Sequence, residues 1–94
     1  MAVEWAIEHG FGGVEFNGPI RLADVSPDDR AFLASARVDH GMRYTHHFPV
    51  SAMPCSHDPA TRQRDLAELI SEVNAAGELG VEVIVLHPGK VDVP

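Results

Sequence analysis

Cysteine is all but missing: Cys55 stands alone among 94 residues, so no disulfide can form within the chain and nothing calls for an oxidising compartment. Basic residues are scarce too, 7 Lys and Arg against 14 Asp and Glu, for a formal charge of −7. A protein that grips a phosphate backbone gathers Lys and Arg into stripes, so this balance speaks against a nucleic-acid partner. No run approaches the roughly 20 apolar residues of a membrane span. Met1 to Gly10 has neither the basic start nor the long apolar centre of a secretory leader. These absences lead to the expectation of a cytoplasmic protein with no membrane partner. The apolar fraction, 45%, suffices for one small domain with a modest core and is too high for a disordered chain.

What is present is one grammar, used three times: helix, glycine, strand. Ala2 to His9 carries Val3, Ala6 and Ile7 at helical spacing, Gly10 stands where a left-handed C-cap is wanted, and Gly13-Val14-Glu15-Phe16 follows as a short strand. The second unit opens at Ser26-Pro27-Asp28-Asp29, a capping serine, a proline suited to the first helical position and two acids at the positive helix end. Phe32, Leu33 and Ala36 supply its buried stripe, Gly41 closes it, and Met42 to His47 reads as a strand. In the third, Asp58 caps, Pro59 starts, and Leu66, Leu69, Ile70, Val73, Ala76 and Leu79 form the expected apolar stripe. Gly80 then gives way to Val81-Glu82-Val83-Ile84-Val85-Leu86, rich in β-branched residues.

Strands alternating with amphipathic helices predict an α/β fold with parallel strands and right-handed crossovers. The connections ahead of the second and third helices are long, while those after the helices are little more than a glycine. Long loops at strand C-terminal ends are where such folds carry chemistry. The chain starts inside a helix and stops soon after a strand, and three strands cannot close a barrel of eight. The expectation is a single domain over residues 1–94 that belongs to a larger barrel or is completed by another copy or a complementing chain.

Each strand delivers a polar residue near its C-terminal end: Glu15, His47 and His87. Strand alternation lets all three share one face. With His47 inward, Thr45 and Arg43 join it while Tyr44 and His46 face the helices. With His87 inward, Val81, Val83 and Val85 share its side and Ile84 and Leu86 pack outward. Imidazole nitrogens beside a carboxylate make a mixed N/O set suited to zinc, manganese or cobalt, and the carboxylate can act as ligand or proton shuttle. A strand-end histidine is also commonly a hydrogen-bonded structural residue, and from the pattern alone the two readings stand level. A loop that began early would exchange His46 and His47.

Phe11-Gly12-Gly13-Val14-Glu15-Phe16 resembles the "GF-x-G-V-E" strand of xylose isomerase-like TIM barrels. His47-Phe48-Pro49 is similar to their "H-x-P" strand end, and Ala76 to Gly80 followed by Val85-Leu86-His87-Pro88-Gly89 is similar to their "A-x-x-L-G…V-x-H-P-G" segment. The similarity spans nearly the whole chain in the family's order. It implies a partial (β/α)₈ barrel, with the first strand and the C-terminal half outside residues 1–94. It implies a sugar or sugar-phosphate isomerase or epimerase, or an endonuclease-like phosphodiesterase. His47 and His87 match strand-end histidines that bind metal in the endonuclease-like branch and bind substrate in many isomerases; Glu15 matches a glutamate near the pocket with a catalytic role. The implied cofactor is a divalent ion (manganese, zinc, cobalt or magnesium) with further ligands beyond residue 94.

Other residues have plainer readings. His9 and His40 precede helix-ending glycines, where a cation complements the helix dipole. Cys55-Ser56-His57-Asp58 suggests a nucleophile and base, but it lies in a loop whose Asp58 is already explained as a cap. Arg62 and Arg64 fit a solvated helix face better than a phosphate contact. Three functions compete: a metal-assisted sugar or sugar-phosphate isomerase/epimerase within a complete barrel, an endonuclease-like phosphodiesterase, and a non-catalytic barrel piece that assembles with a partner through an open sheet edge.

Overall fold

Glycine follows each of the α-helices and proline opens two of them in the computed structural model, which describes residues 2–17, 20–49, 52 and 54–87. The elements are α1 (Ala2–Glu8), β1 (Gly13–Asn17), a 3₁₀ turn (Leu22–Asp24), α2 (Pro27–His40), β2 (Arg43–His47), α3 (Pro59–Leu79) and β3 (Val81–Val85). Ser26 Oγ accepts the Asp29 N–H at the start of α2, and Asp58 accepts the Thr61 N–H at the start of α3. Gly10, Gly41 and Gly80 all have positive φ, at 77°, 63° and 75°, so the chain leaves each helix through the left-handed conformation that glycine adopts at least cost.

The strands form one open sheet in the order β1-β2-β3, parallel throughout. The architecture is α/β, consistent with the expected part of a (β/α)₈ TIM barrel. One face of the sheet is covered: Val3, Ala6, Leu22, Leu33, Ala36, Met42, Tyr44, Ala75, Ala76 and Leu79 make a single buried cluster drawn from every helix. The opposite face is open, with Glu15, Asn17, Arg43, Val83 and Val85 exposed on it. Tyr44 is fully buried, its ring tilted against Phe16, and its hydroxyl donates to the Leu33 carbonyl at 2.8 Å.

Two sequence expectations are corrected. On α3, Leu66, Ile70 and Val73 are 45%, 55% and 49% exposed, whereas Asp65, Glu72, Ala75, Ala76 and Leu79 are buried. The helix is turned so that Glu72 meets donors on the 3₁₀ turn, and the apolar flank lies beside a groove of about 450 Å³ along β3, with Leu69, Val73, Ile84 and Leu86 in its lining. On β3, Val81 packs into the helix-side core with Ile84 instead of facing inward with Val83 and Val85. The register slips between Tyr44 and Thr45, which pair with Val81 and Val83, and this irregularity turns one residue to the other face. The Pro88-Gly89 end of the third motif lies outside the described residues. No helix among the described residues is long and apolar enough to cross a membrane.

Two glycines near the end of α3 are predicted to respond with opposite signs. Gly80→Ala places a side chain at φ 75° and against the Arg37 guanidinium, and is expected to cost about 1–2 kcal/mol. Gly77→Ala lies inside the helix with open space around it, and is expected to add about 0.5–1 kcal/mol. Urea melts of both variants check this. A second prediction concerns Tyr44, whose burial pushes the phenol above its ordinary value. The folded chain holds that proton more tightly than the unfolded one. The stabilisation is therefore complete below the ordinary tyrosine value near 10 and is lost as pH rises through the folded-state value. Tyr44→Phe is expected to lose about 1 kcal/mol at neutral pH with the hydrogen bond, and to lack this alkaline component. Melts at neutral and strongly alkaline pH distinguish the two.

Candidate functional site

β2 is the central strand, and its alternation divides two adjacent histidines. Tyr44 and His46 point into the core at 0% exposure, while Thr45 and His47 take the open face and are half-buried. His47 pairs in register with Asn17 of β1 and Val85 of β3, which brings the C-terminal ends of all three strands to one rim. His87 follows β3 by two residues, and its Nε2 lies 3.0 Å from His47 Nε2, with the rings stacked at 5.2 Å between centroids. The Glu15 carboxylate lies 4.0 Å from the other nitrogen of the same ring, His47 Nδ1. Glu15, His47 and His87 are thus brought together.

Two imidazole nitrogens at that distance share one proton, one ring donating and the other accepting. Glu15 beside Nδ1 favours the tautomer of His47 that carries its proton there, which leaves His47 Nε2 as the acceptor and His87 Nε2–H as the donor. A metal ion fits the same pair. Tetrahedral ligation at about 2.0–2.1 Å sets two nitrogens about 3.3 Å apart, a few tenths of an ångström beyond the spacing seen here. Glu15 is on the far side of the His47 ring from His87, so it stands where a carboxylate orients a ligating imidazole rather than where a third ligand belongs. Among the described residues no cluster of three or more His, Cys, Asp or Glu converges as a cation site.

Below the rim the open face is differently charged. Arg43 reaches across to Glu82 with two hydrogen bonds, Nε to Oε1 at 3.0 Å and Nη2 to Oε2 at 2.6 Å. The Glu82 carboxylate holds the Arg43 guanidinium above its ordinary value, and the guanidinium holds the Glu82 carboxyl below the usual carboxylate range. The pair walls a concavity of about 550 Å³, also lined by Gly13, Glu15, Thr45 and Val83, that lies on the N-terminal side of the histidines. Asn17, which sequence reasoning passed over, ends β1 opposite His47; its strand alternates with Glu15, and that period of two is the signal that puts it on the rim.

Behind the rim, on the helix side, lies a second polar group. The Glu72 carboxylate accepts the Leu22 N–H at 2.9 Å and the Ala23 N–H at 3.2 Å, and approaches His46 Nε2 at 3.1 Å. His46 Nδ1 donates to the Phe16 carbonyl at 3.2 Å. The distance from His46 to Glu72 is that of a hydrogen bond, but the atoms are out of line, and His46 Nε2 is left without a hydrogen bond. The contact is electrostatic and not a formed hydrogen bond.

The set-aside residues have local partners. Asp58 accepts from Thr61 twice, through N–H at 3.0 Å and Oγ1–H at 2.6 Å, bonds that hold its carboxyl below the usual range. Arg62 donates to the Ser56 carbonyl, Arg64 pairs with Asp65, and the His9 ring bonds the Trp5 carbonyl. None of these meets the rim.

A covered sheet face, an open face and parallel strands joined through helices fit a segment of a (β/α) barrel. The family model of the xylose isomerase-like TIM barrel matches residues 3–94, and the chain belongs to that family. No curated protein matches it.

Breaking the buried group behind the rim is predicted to be severe. Glu72→Ala strands two N–H groups and a buried imidazole, and is expected to cost about 3–5 kcal/mol. Glu68→Ala, one turn earlier at the surface and paired with Arg21, is expected to cost under about 1 kcal/mol. Denaturant midpoints of the two variants give the comparison.

Proposed function

We propose that this chain supplies part of the mouth of a metal-assisted sugar or sugar-phosphate isomerase or epimerase, working within a complete barrel. The observation that carries the reading is the meeting of His47 and His87, nitrogen to nitrogen at 3.0 Å, from two separate parallel strands, with Glu15 behind the first ring. His47 Nε2 and His87 Nε2 would hold a divalent ion, whose chemistry when bound is to polarise a hydroxyl or carbonyl oxygen. Glu15 would keep the His47 proton on Nδ1 so that Nε2 keeps its lone pair. Its second oxygen is free to take or return a proton on the open face, the role expected of it as a general base. Asn17, with both a donor and an acceptor, would contact a substrate hydroxyl beside His47. Two protein ligands are fewer than a catalytic centre uses, so the remaining ligands would come from other barrel strands.

The endonuclease-like alternative asks for a basic groove, and the −7 charge together with the Arg43–Glu82 pairing gives it no support. The test is on the complete barrel. His87→Ala is expected to abolish sugar turnover while leaving the melting temperature nearly unchanged; normal turnover in that variant overturns the reading. Purified alone, residues 1–94 are expected to show no substantial turnover as a monomer, and robust activity by a sized monomer would be the contrary result.

A further inference from the structure

Glu72 poses a question that packing does not answer. It sits on the buried face of α3 at 2% exposure, in line with Ala76 and Leu79, at a position where an aliphatic side chain would fill the core. A carboxylate there carries a desolvation penalty that only good partners offset. Its partners are specific. Leu22 and Ala23 belong to the turn that follows β1, and His46 is the residue before His47 on β2. His46 in turn bonds the carbonyl of Phe16, which stands between Glu15 and Asn17.

The two strand segments in this network are next to residues of the rim. Phe16 flanks Glu15 and Asn17; His46 flanks His47. The network lies on the helix side of the sheet, directly behind the site, and joins β1 to β2 through side chains in addition to the ladder. His46 Nδ1 bonds a carbonyl, and its Nε2 lies 3.1 Å from the Glu72 carboxylate without a formed hydrogen bond. The ring cannot turn over without losing the Nδ1 bond and the contact at Nε2.

We propose that Glu72 is a positioning residue: acting through His46, its carboxylate fixes the attitude of the β2 end and so sets His47 Nε2 toward His87. This rests on the proposed metal reading for its affinity readout and on geometry alone for its spectroscopic one. The experiment uses the 94-residue chain, with Co²⁺ as probe, and compares wild type, Glu72→Gln and Glu68→Gln at a temperature well below their melting points. Gln keeps the shape and one of the two N–H acceptor contacts and removes the charge beside His46, so it is expected to destabilise the chain less than Glu72→Ala.

Glu72→Gln is expected to weaken Co²⁺ binding by about tenfold or more, and Glu68→Gln to leave it unchanged. In the metal-free proteins, the ring nitrogen resonances of His47 and His87 are expected to shift in Glu72→Gln and not in Glu68→Gln. A purely structural role would lower the melting temperature and move neither readout in the folded protein, and that outcome overturns the proposal. If wild type itself takes no Co²⁺, the metal reading has failed, and the ring resonances decide the positioning claim: shifted rings sustain it and unshifted rings end it.

Discussion

The site depends on the two-residue period of β2. A strand hydrogen-bonded on both sides cannot rotate about its axis, and a slip of one residue would exchange its faces completely. Two buried side chains fix which face is which. Tyr44 fills the core and anchors its hydroxyl on α2, and His46 is held between β1 and α3. Once those are inside, Thr45 and His47 have only the open face to occupy. His47 is therefore placed at the rim less by any contact of its own than by the commitments of its neighbours in the chain.

This explains what the sequence disclosed and what it withheld. Helix starts and stops were legible because they are local: Ser26-Pro27, Asp58-Pro59 and the three glycines act within a turn of where they stand. The separation of His46 from His47 was legible because alternation is local too. Glu72 was not, since its meaning comes from Leu22 and from His46, both distant in the chain, and a glutamate on a helix reads by default as solvated. The same holds for the apolar stripe of α3. Leu66, Ile70 and Val73 outrank Glu72 in hydropathy, yet the helix is turned toward the donors that Glu72 needs. Val81 was misplaced for a third reason: the irregularity opposite Tyr44 breaks the period on which the inference relied.

The 3₁₀ turn at Leu22–Asp24 shows how a long loop is made part of the core. Leu22 is completely buried, and its N–H and that of Ala23 end on one carboxylate. Arg30 adds bonds to the Val25 carbonyl and to Glu78, tying the same loop to α2 and α3. The loop that leaves the rim after β1 is thereby fixed to the helices a few residues later, so the end of β1 is restrained from both directions.

Electrostatics then separates the two ends of the open face. Arg43 projects from it, but its guanidinium is already matched bidentately by Glu82, so that charge is spent below the rim. At the rim stand a carboxylate, an amide and two imidazoles. A lone carboxylate with no cation beside it draws cations and hydroxyl donors and repels anions. Among the described residues none of the open-face side chains is an uncommitted cation. On the function proposed above, the reacting hydroxyls of a sugar and a divalent ion would sit at this rim. A phosphate group on the same substrate would have to be met by another part of the barrel, which is where loops of this fold class commonly bind it.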